Sequence, residues 1–198
     1  MTTRHTIFDA LSGKPMRIIA GKYKGRQLQG SRDRSIRPTT NKIKEVIFQL
    51  LDDYIVGARV LDLFSGSGGL GLEALSRGAE AITFVDLSGR SLRVLQQNLE
   101  SLGASAQCRT VRKDALIFLR QNEKPFDLIF ADPPFPWGNF VEMVPLAMGE
   151  ANLVSGGLMV VESERSHGAP QEGEGYEILK QKTYDRSIIT FFRSTVGL

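Results

Sequence analysis

The chain has 198 residues, which suits one domain, and its 41% hydrophobic and 24% charged residues are typical of a globular protein. The single cysteine, Cys108, excludes an intrachain disulfide and a thiolate metal cluster, and it favours a reducing compartment. No apolar run approaches the ~18 residues of a membrane span, and no signal-peptide core is present, so we expect a cytoplasmic protein. His5 and His167 lack the spacing of metal ligands, so we expect no metal.

Charge is unevenly distributed along the chain. Residues 1–45 hold eleven basic and three acidic residues, a net charge of +8, so the remaining residues carry −5 of the total of +3. Segregated positive charge predicts a polyanionic partner. Over residues 16–28 the charges alternate with strand-forming residues and glycines, which favours an ordered binding surface over a solvated tail.

The first predicted elements form a basic N-terminal extension over residues 1–57. Residues 1–14 show no clear periodicity, and we assign them no role. Strand-forming residues and two glycine turns predict a short β-hairpin over 16–29. Apolar residues at helical spacing then predict a helix over 41–54, which Gly57 terminates.

From residue 58 to 198 the pattern changes to strand–helix alternation, which predicts a second domain; the motifs described below lie in it and make it the candidate catalytic domain. Five apolar segments are predicted strands: 58–64, 81–86, 107–111, 126–131 and 157–162. Four amphipathic segments between them are predicted helices: 70–77, 91–102, 115–121 and 140–151. Residues 176–183 and 187–193 alternate enough to form a hairpin. We therefore predict an α/β fold with a mostly parallel sheet, helices on both faces and a C-terminal antiparallel hairpin.

A glycine loop follows the first predicted strand and opens a helix. Gly66, Gly68 and Gly71 satisfy G-x-G-x-x-G, which alone is weak evidence for a dinucleotide site. Glycines allow positive φ and a close approach of a ligand to the backbone, and free amides at the helix start favour a polar or anionic group.

Three carboxylates refine the interpretation of this loop. Asp86 ends the second strand, where an acid accepts hydrogen bonds from ribose hydroxyls. Asp62 would repel a pyrophosphate but would pair with an ammonium group, so the site suits a nucleoside with an amino-acid arm, such as S-adenosylmethionine. Asp114 follows the third strand and is equally suited to accept from the adenine amine or to cap a helix.

The stretch Asp132-Pro133-Pro134-Phe135 ends the fourth predicted strand, where ligands bind in open α/β sheets. The prolines stiffen the turn and leave nearby carbonyls available as acceptors, so a carboxylate and a carbonyl can both accept from one exocyclic amine. Phe135 would stack on the base, which must first leave its own stack. For Trp137 we favour packing under the loop over base stacking.

Together these motifs resemble class I S-adenosylmethionine-dependent methyltransferases that modify exocyclic amines with an Asn/Asp-Pro-Pro-aromatic tetrad. The segments "RIIAGKYKGRQL", "RPTTNKIKEVIFQLL", "LDLFSGSGGLGLEALSRGA" and "DPPF" resemble the bacterial 16S rRNA guanine-N2 methyltransferases called RsmD, over about 16–193. The resemblance implies a Rossmann-like fold with a seven-stranded sheet, methylation of one guanine in the small ribosomal subunit or its assembly intermediate, and a monomer.

The resemblance also implies roles for individual residues. The cofactor-binding set is Asp62, Phe64, Gly66, Ser67, Gly68, Asp86, Leu87, Asp114 and Ala115. The expected catalytic residues are Asp132, Pro133 and Phe135. The expected substrate-binding set is Lys22, Lys24, Arg26, Arg37, Thr39 and Pro134.

Three other functions remain open. A DNA adenine or protein glutamine methyltransferase would share the chemistry but usually has Asn at the first tetrad position, where this chain has Asp132. An RNA-binding or assembly module would keep the fold without turnover. A nucleotide-dependent oxidoreductase would use the glycine loop, but Asp62 and the tetrad disfavour it.

Overall fold

Residues 16–30 and 41–197, which the computed structural model describes, form five α-helices and seven strands. The helices are α1 (Asn41–Ile55), α2 (Gly69–Ser76), α3 (Gly89–Leu102), α4 (Ala115–Gln121) and α5 (Phe140–Met148). The strands are β1 (Arg59–Leu63), β2 (Ala81–Asp86), β3 (Cys108–Arg112), β4 (Phe126–Ala131), β5 (Leu153–Glu164), β6 (Tyr176–Tyr184) and β7 (Ser187–Ser194). Arg37 and Thr39, two of the expected substrate-binding residues, lie outside the described residues.

All seven strands belong to one sheet, in the order β3-β2-β1-β4-β5-β7-β6. The pairs from β3 to β5 are parallel, and β7 pairs antiparallel with both β5 and β6, which confirms the predicted mixed sheet. The chain runs outward from β1 to β3 and then returns to place β4 on the other side of β1. This reversal opens a crevice at the carboxyl ends of β1 and β4, where ligands bind in such sheets.

Alternating side chains of the central strands fill two hydrophobic layers, one on each face of the sheet. On one face, Val60, Phe130 and Val160 pack in the same cluster as α1 and the N-terminal residues. On the other face, Leu61 and Ile129 pack with α4 and α5. Strands buried on both faces explain why their sequences are continuously apolar.

The N-terminal segment 16–30 folds back on itself around a turn, with one isolated antiparallel bridge between Arg17 and Gln27 in place of two full strands. The Leu28 N–H donates to the Met16 carbonyl at 2.8 Å. At the turn, Gly21 has a φ of +79° and the Lys22 N–H donates to the Ser76 carbonyl at 2.7 Å. The predicted hairpin therefore lies along α2, with its turn at the C-terminal end of that helix.

A buried ion pair fixes this segment to the sheet domain. Lys44 Nζ of α1 lies 3.4 Å from Glu73 Oε2 of α2, and both side chains are fully buried. The Glu73 carboxylate also accepts the N–H groups of Ile19 at 2.8 Å and Ala20 at 3.0 Å. Burial lowers the pKa of the Lys44 ammonium, and the charge of Glu73 opposes that shift. One carboxylate thus connects the N-terminal segment, α1 and α2.

Two predicted boundaries differ from the structure by three residues or more, and the others by at most two. Helix α5 ends at Met148 rather than residue 151, because Gly149 takes an extended conformation with ψ 151°. Strand β5 starts at Leu153 rather than residue 157, because Leu153 pairs with Phe126 before an irregularity in the register. Within the described ranges, no helix is both long and apolar enough to cross a membrane.

Candidate active site

A cleft of about 530 Å³ opens at the carboxyl ends of the central strands. Its volume lies in the range of small-molecule sites, roughly 300–1,000 Å³. The structure brings twelve of the predicted site residues into its lining: Asp62, Phe64, Gly66, Ser67, Asp86, Leu87, Asp114, Ala115, Asp132, Pro133, Pro134 and Phe135. These residues follow different strands of the chain, and the order of the strands in the sheet brings them together at one edge.

The glycine loop has the backbone that its sequence predicts. Gly66 has a φ of +54° and Gly68 a φ of +91°, both in the left-handed region. Gly66 lines the cleft, whereas Gly68 caps the start of α2 and does not line it. A Cβ on Gly68 would come within 2.5 Å of Leu95. Gly68 is therefore needed for packing of the loop, and Gly66 offers backbone to the cleft.

Asp86 holds the loop to the end of β2 through two backbone hydrogen bonds. Its Oδ2 accepts the Gly66 N–H at 2.7 Å and its Oδ1 accepts the Ser88 N–H at 2.7 Å. An ionised carboxylate has about four acceptor positions, so two remain for ligand hydroxyls. The predicted ribose ligand therefore suits Asp86, which is partly exposed in the cleft.

Asp62 is buried beneath the same loop. Its Oδ2 accepts the Gly71 N–H at 2.8 Å, and only 2% of the residue is exposed. Burial raises the pKa of its carboxyl to about 7; the hydrogen bond from Gly71 opposes the shift and the charge of Asp86 adds to it. A buried carboxylate in a ligand cleft favours a cationic group, which would restore its ionised form.

Asp114 serves as a helix cap and also lines the cleft. Its Oδ1 accepts the N–H groups of Leu116 at 3.0 Å and Ile117 at 3.1 Å, at the start of α4. The capping role that the sequence left open is thus present. The place of Asp114 in the cleft lining keeps the adenine contact as a prediction.

The Asp132-Pro133-Pro134-Phe135 turn begins where β4 ends, beside β1. Pro133 is buried, Pro134 is exposed and Phe135 is half-buried. The following Phe135–Pro136 peptide bond is cis. The pairing of Leu63 with Ala131 places this turn beside the glycine loop.

Trp137 packs beneath the loop, as predicted, and its ring also borders the cleft. Its centroid lies 5.1 Å from that of Phe64 and 5.0 Å from that of Phe140, both edge to face. Phe64 has a φ of +57°, unusual for a residue with a side chain. The three rings connect the glycine loop, the tetrad loop and α5.

Sequence reasoning missed several residues of the cleft. Met16 and Ile43 reach it from the N-terminal segment and α1, and Glu162 reaches it from β5. The apolar pair carried no local signal, because the contact depends on packing of distant segments. Glu162 is a charged residue in a buried strand, and that exception was a usable signal.

The basic residues of the N-terminal turn lie away from the cleft. Lys22 and Lys24 are exposed on a turn that contacts the end of α2 opposite the glycine loop, about 12 Å along an eight-residue helix. Arg26 Nη2 donates to the Ser101 carbonyl at 2.7 Å, so its side chain also supports the fold. These three predicted substrate contacts therefore do not join the tetrad in the described structure.

The donor and acceptor set of the cleft fits S-adenosylmethionine. Asp62 is suited to the ammonium of the amino-acid arm, the Gly66 backbone to close approach, and Asp86 to the ribose hydroxyls. Leu87 is 66% exposed beside Asp86 and offers an apolar surface for the base.

Comparisons with known proteins identify the family of this chain. The model of the family described as conserved hypothetical protein 95 matches residues 16–193. Ribosomal RNA small subunit methyltransferase D of Escherichia coli K12 is 37% identical over 84% of this chain and 84% of its own length. The chain belongs to the ribosomal RNA small subunit methyltransferase D family.

Two further proteins are similar to this chain over most of its length. YlbH of Bacillus subtilis, described as a proposed rRNA methyltransferase, is 35% identical over 90% of this chain and 98% of its own. The solved structure of yhhF from Escherichia coli, a proposed methyltransferase, covers 93% of this chain and 100% of its own, with 32% identity and a TM-score of 0.82. The protein is an S-adenosylmethionine-dependent methyltransferase with a Rossmann-like fold.

Proposed function

We propose that the protein methylates the exocyclic N2 amine of one guanine in 16S rRNA. The methyltransferase D relative from Escherichia coli acts, by its name, on the RNA of the small ribosomal subunit, which supports this substrate. The basic N-terminal segment supports a nucleic-acid partner. We further propose that the protein works as a monomer without a metal, in the cytoplasm, on the small subunit or its assembly intermediate.

The observation that carries the proposal is the place of Asp132. It begins the turn after β4, and β4 lies directly beside β1, whose Asp62 and following loop suit the methyl donor. The residue proposed to hold the substrate amine and the site proposed for the methyl donor thus open into one cleft. An Asp-Pro-Pro-aromatic turn in that position suits a planar amine, because one face of the turn accepts hydrogen bonds and the aromatic ring stacks.

Each residue of the turn then has a physical task. Asp132 and the carbonyls near the prolines accept the N–H groups of the amine, which favours a pyramidal nitrogen with an available lone pair. Phe135 stacks on the ring, a contact worth about 1–3 kcal/mol. S-adenosylmethionine supplies a methyl group that is already activated on a sulfonium. Positioning alone can therefore provide about 7–11 kcal/mol of the barrier reduction, and Asp132 accepts the amine proton as it becomes acidic.

The direct test is methyl transfer to small-subunit RNA. The protein is incubated with cofactor tritiated in its methyl group and with 16S rRNA or small subunits from cells that lack the protein. We expect incorporation at one position, and nuclease digestion followed by mass spectrometry should identify N2-methylguanosine. A methylated adenine or glutamine would instead support one of the alternative amine substrates. Absence of cofactor binding with RNA present would support a non-catalytic assembly module.

A further inference from the structure

Glu162 is a buried carboxylate that lines the cleft beside the tetrad. It lies on β5, whose Val161 pairs with Ala131 of β4. Asp132 and Glu162 are the next residues after this pair, so they lie side by side at the same level of the sheet. Only 7% of Glu162 is exposed. Charged residues are rarely buried unless they are paired or hydrogen-bonded, so the environment of Glu162 bears on its function in the cleft.

Three carboxylates share the edge of the sheet where the cleft opens. Asp62 follows Val60 by two residues and Glu162 follows Val160 by two, and both valines pack in the cluster on the α1 face. Because side chains two apart in a strand share a face, Asp62 and Glu162 point to the same side of the sheet. Asp132 lies between their strands. Asp62 is assigned to the methyl donor; Asp132 follows the next strand, β4, and Glu162 lies on the strand after it, β5.

A hydroxyl from the antiparallel part of the sheet orients Glu162. Ser187 Oγ of β7 donates to Glu162 Oε1 at 2.5 Å, and Ser187 is itself 1% exposed. The C-terminal antiparallel strand therefore has a part in shaping the cleft. A carboxylate fixed by a buried donor is suited to read a hydrogen-bonding pattern, because its orientation is set before a ligand arrives.

Guanine presents a pattern that matches two adjacent carboxylates. Its N1–H and its N2 amine lie side by side on one edge, and both are donors. Adenine and 2-aminopurine have an acceptor at N1, and cytosine has an acceptor beside its amine. An ionised carboxylate only accepts, so it attracts an N1–H and repels an N1 lone pair. We propose that Glu162 accepts the N1–H of the target guanine and thereby determines the base specificity of the reaction; this inference rests on the proposed function.

The proposal divides the guanine edge between two residues. Asp132 holds the N2 amine that receives the methyl group, and Glu162 reads the neighbouring ring nitrogen. Loss of Glu162 should therefore change which base is accepted more than it changes cofactor binding. A site that hydrogen-bonds a substrate donor rejects the analogue that lacks it, because the buried acceptor is then left without a partner.

The test combines one side-chain change with one base change. Two RNA substrates are prepared once the target position is mapped, one with guanine there and one with 2-aminopurine. 2-Aminopurine keeps the 2-amine but lacks the N1–H. Glu162→Gln keeps the size of the side chain and adds an amide that can donate to the N1 of 2-aminopurine. We expect kcat/KM on guanine to fall on the order of 10- to 100-fold. The preference for guanine over 2-aminopurine should fall by a similar factor or invert.

The ratio of kcat/KM on guanine to kcat/KM on 2-aminopurine is compared between the unaltered protein and Glu162→Gln. The two bases differ in the intrinsic reactivity of their amines, but that difference affects both proteins equally and cancels. The matched control is Glu164→Gln, on the same strand, whose Oε1 accepts from Arg186 Nη2 at 2.6 Å and which does not line the cleft. The preference of Glu164→Gln for guanine over 2-aminopurine should equal that of the unaltered protein. Cofactor binding by titration calorimetry should be retained in both variants and shows that the proteins are folded.

If the Gln variant does not fold, Ser187→Ala tests the same point, since it keeps the carboxylate but removes its orienting hydroxyl. We expect a smaller loss of guanine preference. An unaltered protein that methylates guanine, with a base preference that neither variant changes, would overturn this inference alone. Absence of guanine methylation by the unaltered protein would overturn the proposed function and this inference with it.

Discussion

The carboxylate of Asp62 accepts the backbone N–H of Gly71 at 2.8 Å, from beneath the first turn of α2. A Cβ on Gly71 would come within 2.9 Å of that carboxylate and within 2.3 Å of Phe84, so only glycine permits this approach of helix to strand. The hydrogen bond therefore fixes a buried acid at the base of the cofactor cleft. It does so at the cost of burying a charge, and the pKa of Asp62 rises to about 7 for that reason.

Cofactor binding should depend on pH through Asp62. Near neutral pH the carboxyl of the free protein is partly protonated, and the ammonium of the cofactor favours its ionised form. Affinity for S-adenosylmethionine should therefore fall as pH is lowered through about 7, with release of a proton on binding. Titration calorimetry in buffers of different ionisation enthalpy measures both effects. Affinity that stays constant from about pH 8 to about pH 6 would contradict the assignment.

The same shift makes a stability prediction with the opposite pH trend. Because the folded pKa of Asp62 lies above the ordinary value of 3.8, the folded protein binds more protons than the unfolded chain between about pH 4 and pH 7. The contribution of Asp62 to the free energy of unfolding should thus decline as pH rises through this range. Asp62→Asn should remove that decline and stabilise the cofactor-free protein above pH 7 by roughly 1–4 kcal/mol. Urea unfolding at several pH values measures it.

Asp132 should be needed for turnover and not for cofactor binding. Asp132→Ala removes the proposed acceptor of the guanine amine, so kcat should fall by about 100-fold or more while the Kd for cofactor is retained. The matched control is Asp127→Ala on the same strand, at the far end from the cleft, where Asp127 pairs with exposed Arg59 at 3.3 Å. That variant should keep its activity. Full methyl transfer by Asp132→Ala would refute the assigned mechanism.

Most of the site was predictable because its residues follow strands in local sequence. Asp62, Asp86 and Asp132 each lie at or near the end of an apolar run, and the carboxyl ends of parallel strands meet at one edge. Sequence reasoning missed Glu162 although it also ends a predicted apolar strand, because no motif marks it and its position in the cleft depends on the pairing of β5 with β4 and on Ser187, 25 residues away in sequence. Pairing between distant strands leaves little trace in a single sequence.

The position of the basic turn was also beyond the sequence. Charge and glycine spacing predict a hairpin, but its direction is set by backbone bonds to α2, such as that from Lys22 to Ser76. Sequence patterns describe the apolar face of an element and not the angle at which it packs. Charge alone predicts that Lys22 and Lys24 bind a polyanion, and the structure adds that such a contact lies away from the cleft.

Breaking the buried ion pair should destabilise the protein. Lys44→Met removes the lysine partner of buried Glu73, which keeps its ion pair with Arg77 at 3.0 Å, so the free energy of unfolding should fall by about 1–3 kcal/mol. The segment 16–30, whose backbone Glu73 also binds, should then become more sensitive to proteolysis. Lys42→Met, an exposed neighbour on α1, is the matched control and should change the free energy of unfolding little. Equal stabilities of the two variants would contradict the structural role.

The exposed lysines of the N-terminal turn should contact RNA phosphates. Replacing both Lys22 and Lys24 with alanine should reduce the slope of log K against log salt by about 0.7 for each lost contact. Arg26 is left intact, because its bond to Ser101 would confound the result. The control replaces Lys180 and Lys182 on β6, at the other edge of the sheet. A slope unaltered by the first pair would assign these lysines to a merely solvated surface.

The ring of Trp137 lies between Phe64, at the start of the glycine loop, and Phe140, the first residue of α5. The loop that carries the tetrad is therefore supported by apolar contacts that need neither donor nor RNA. Its conformational entropy is lost once, when the chain folds, instead of at every encounter with a substrate. The tetrad loop is thus ordered before the RNA binds. The target base must still leave its stack to enter the cleft.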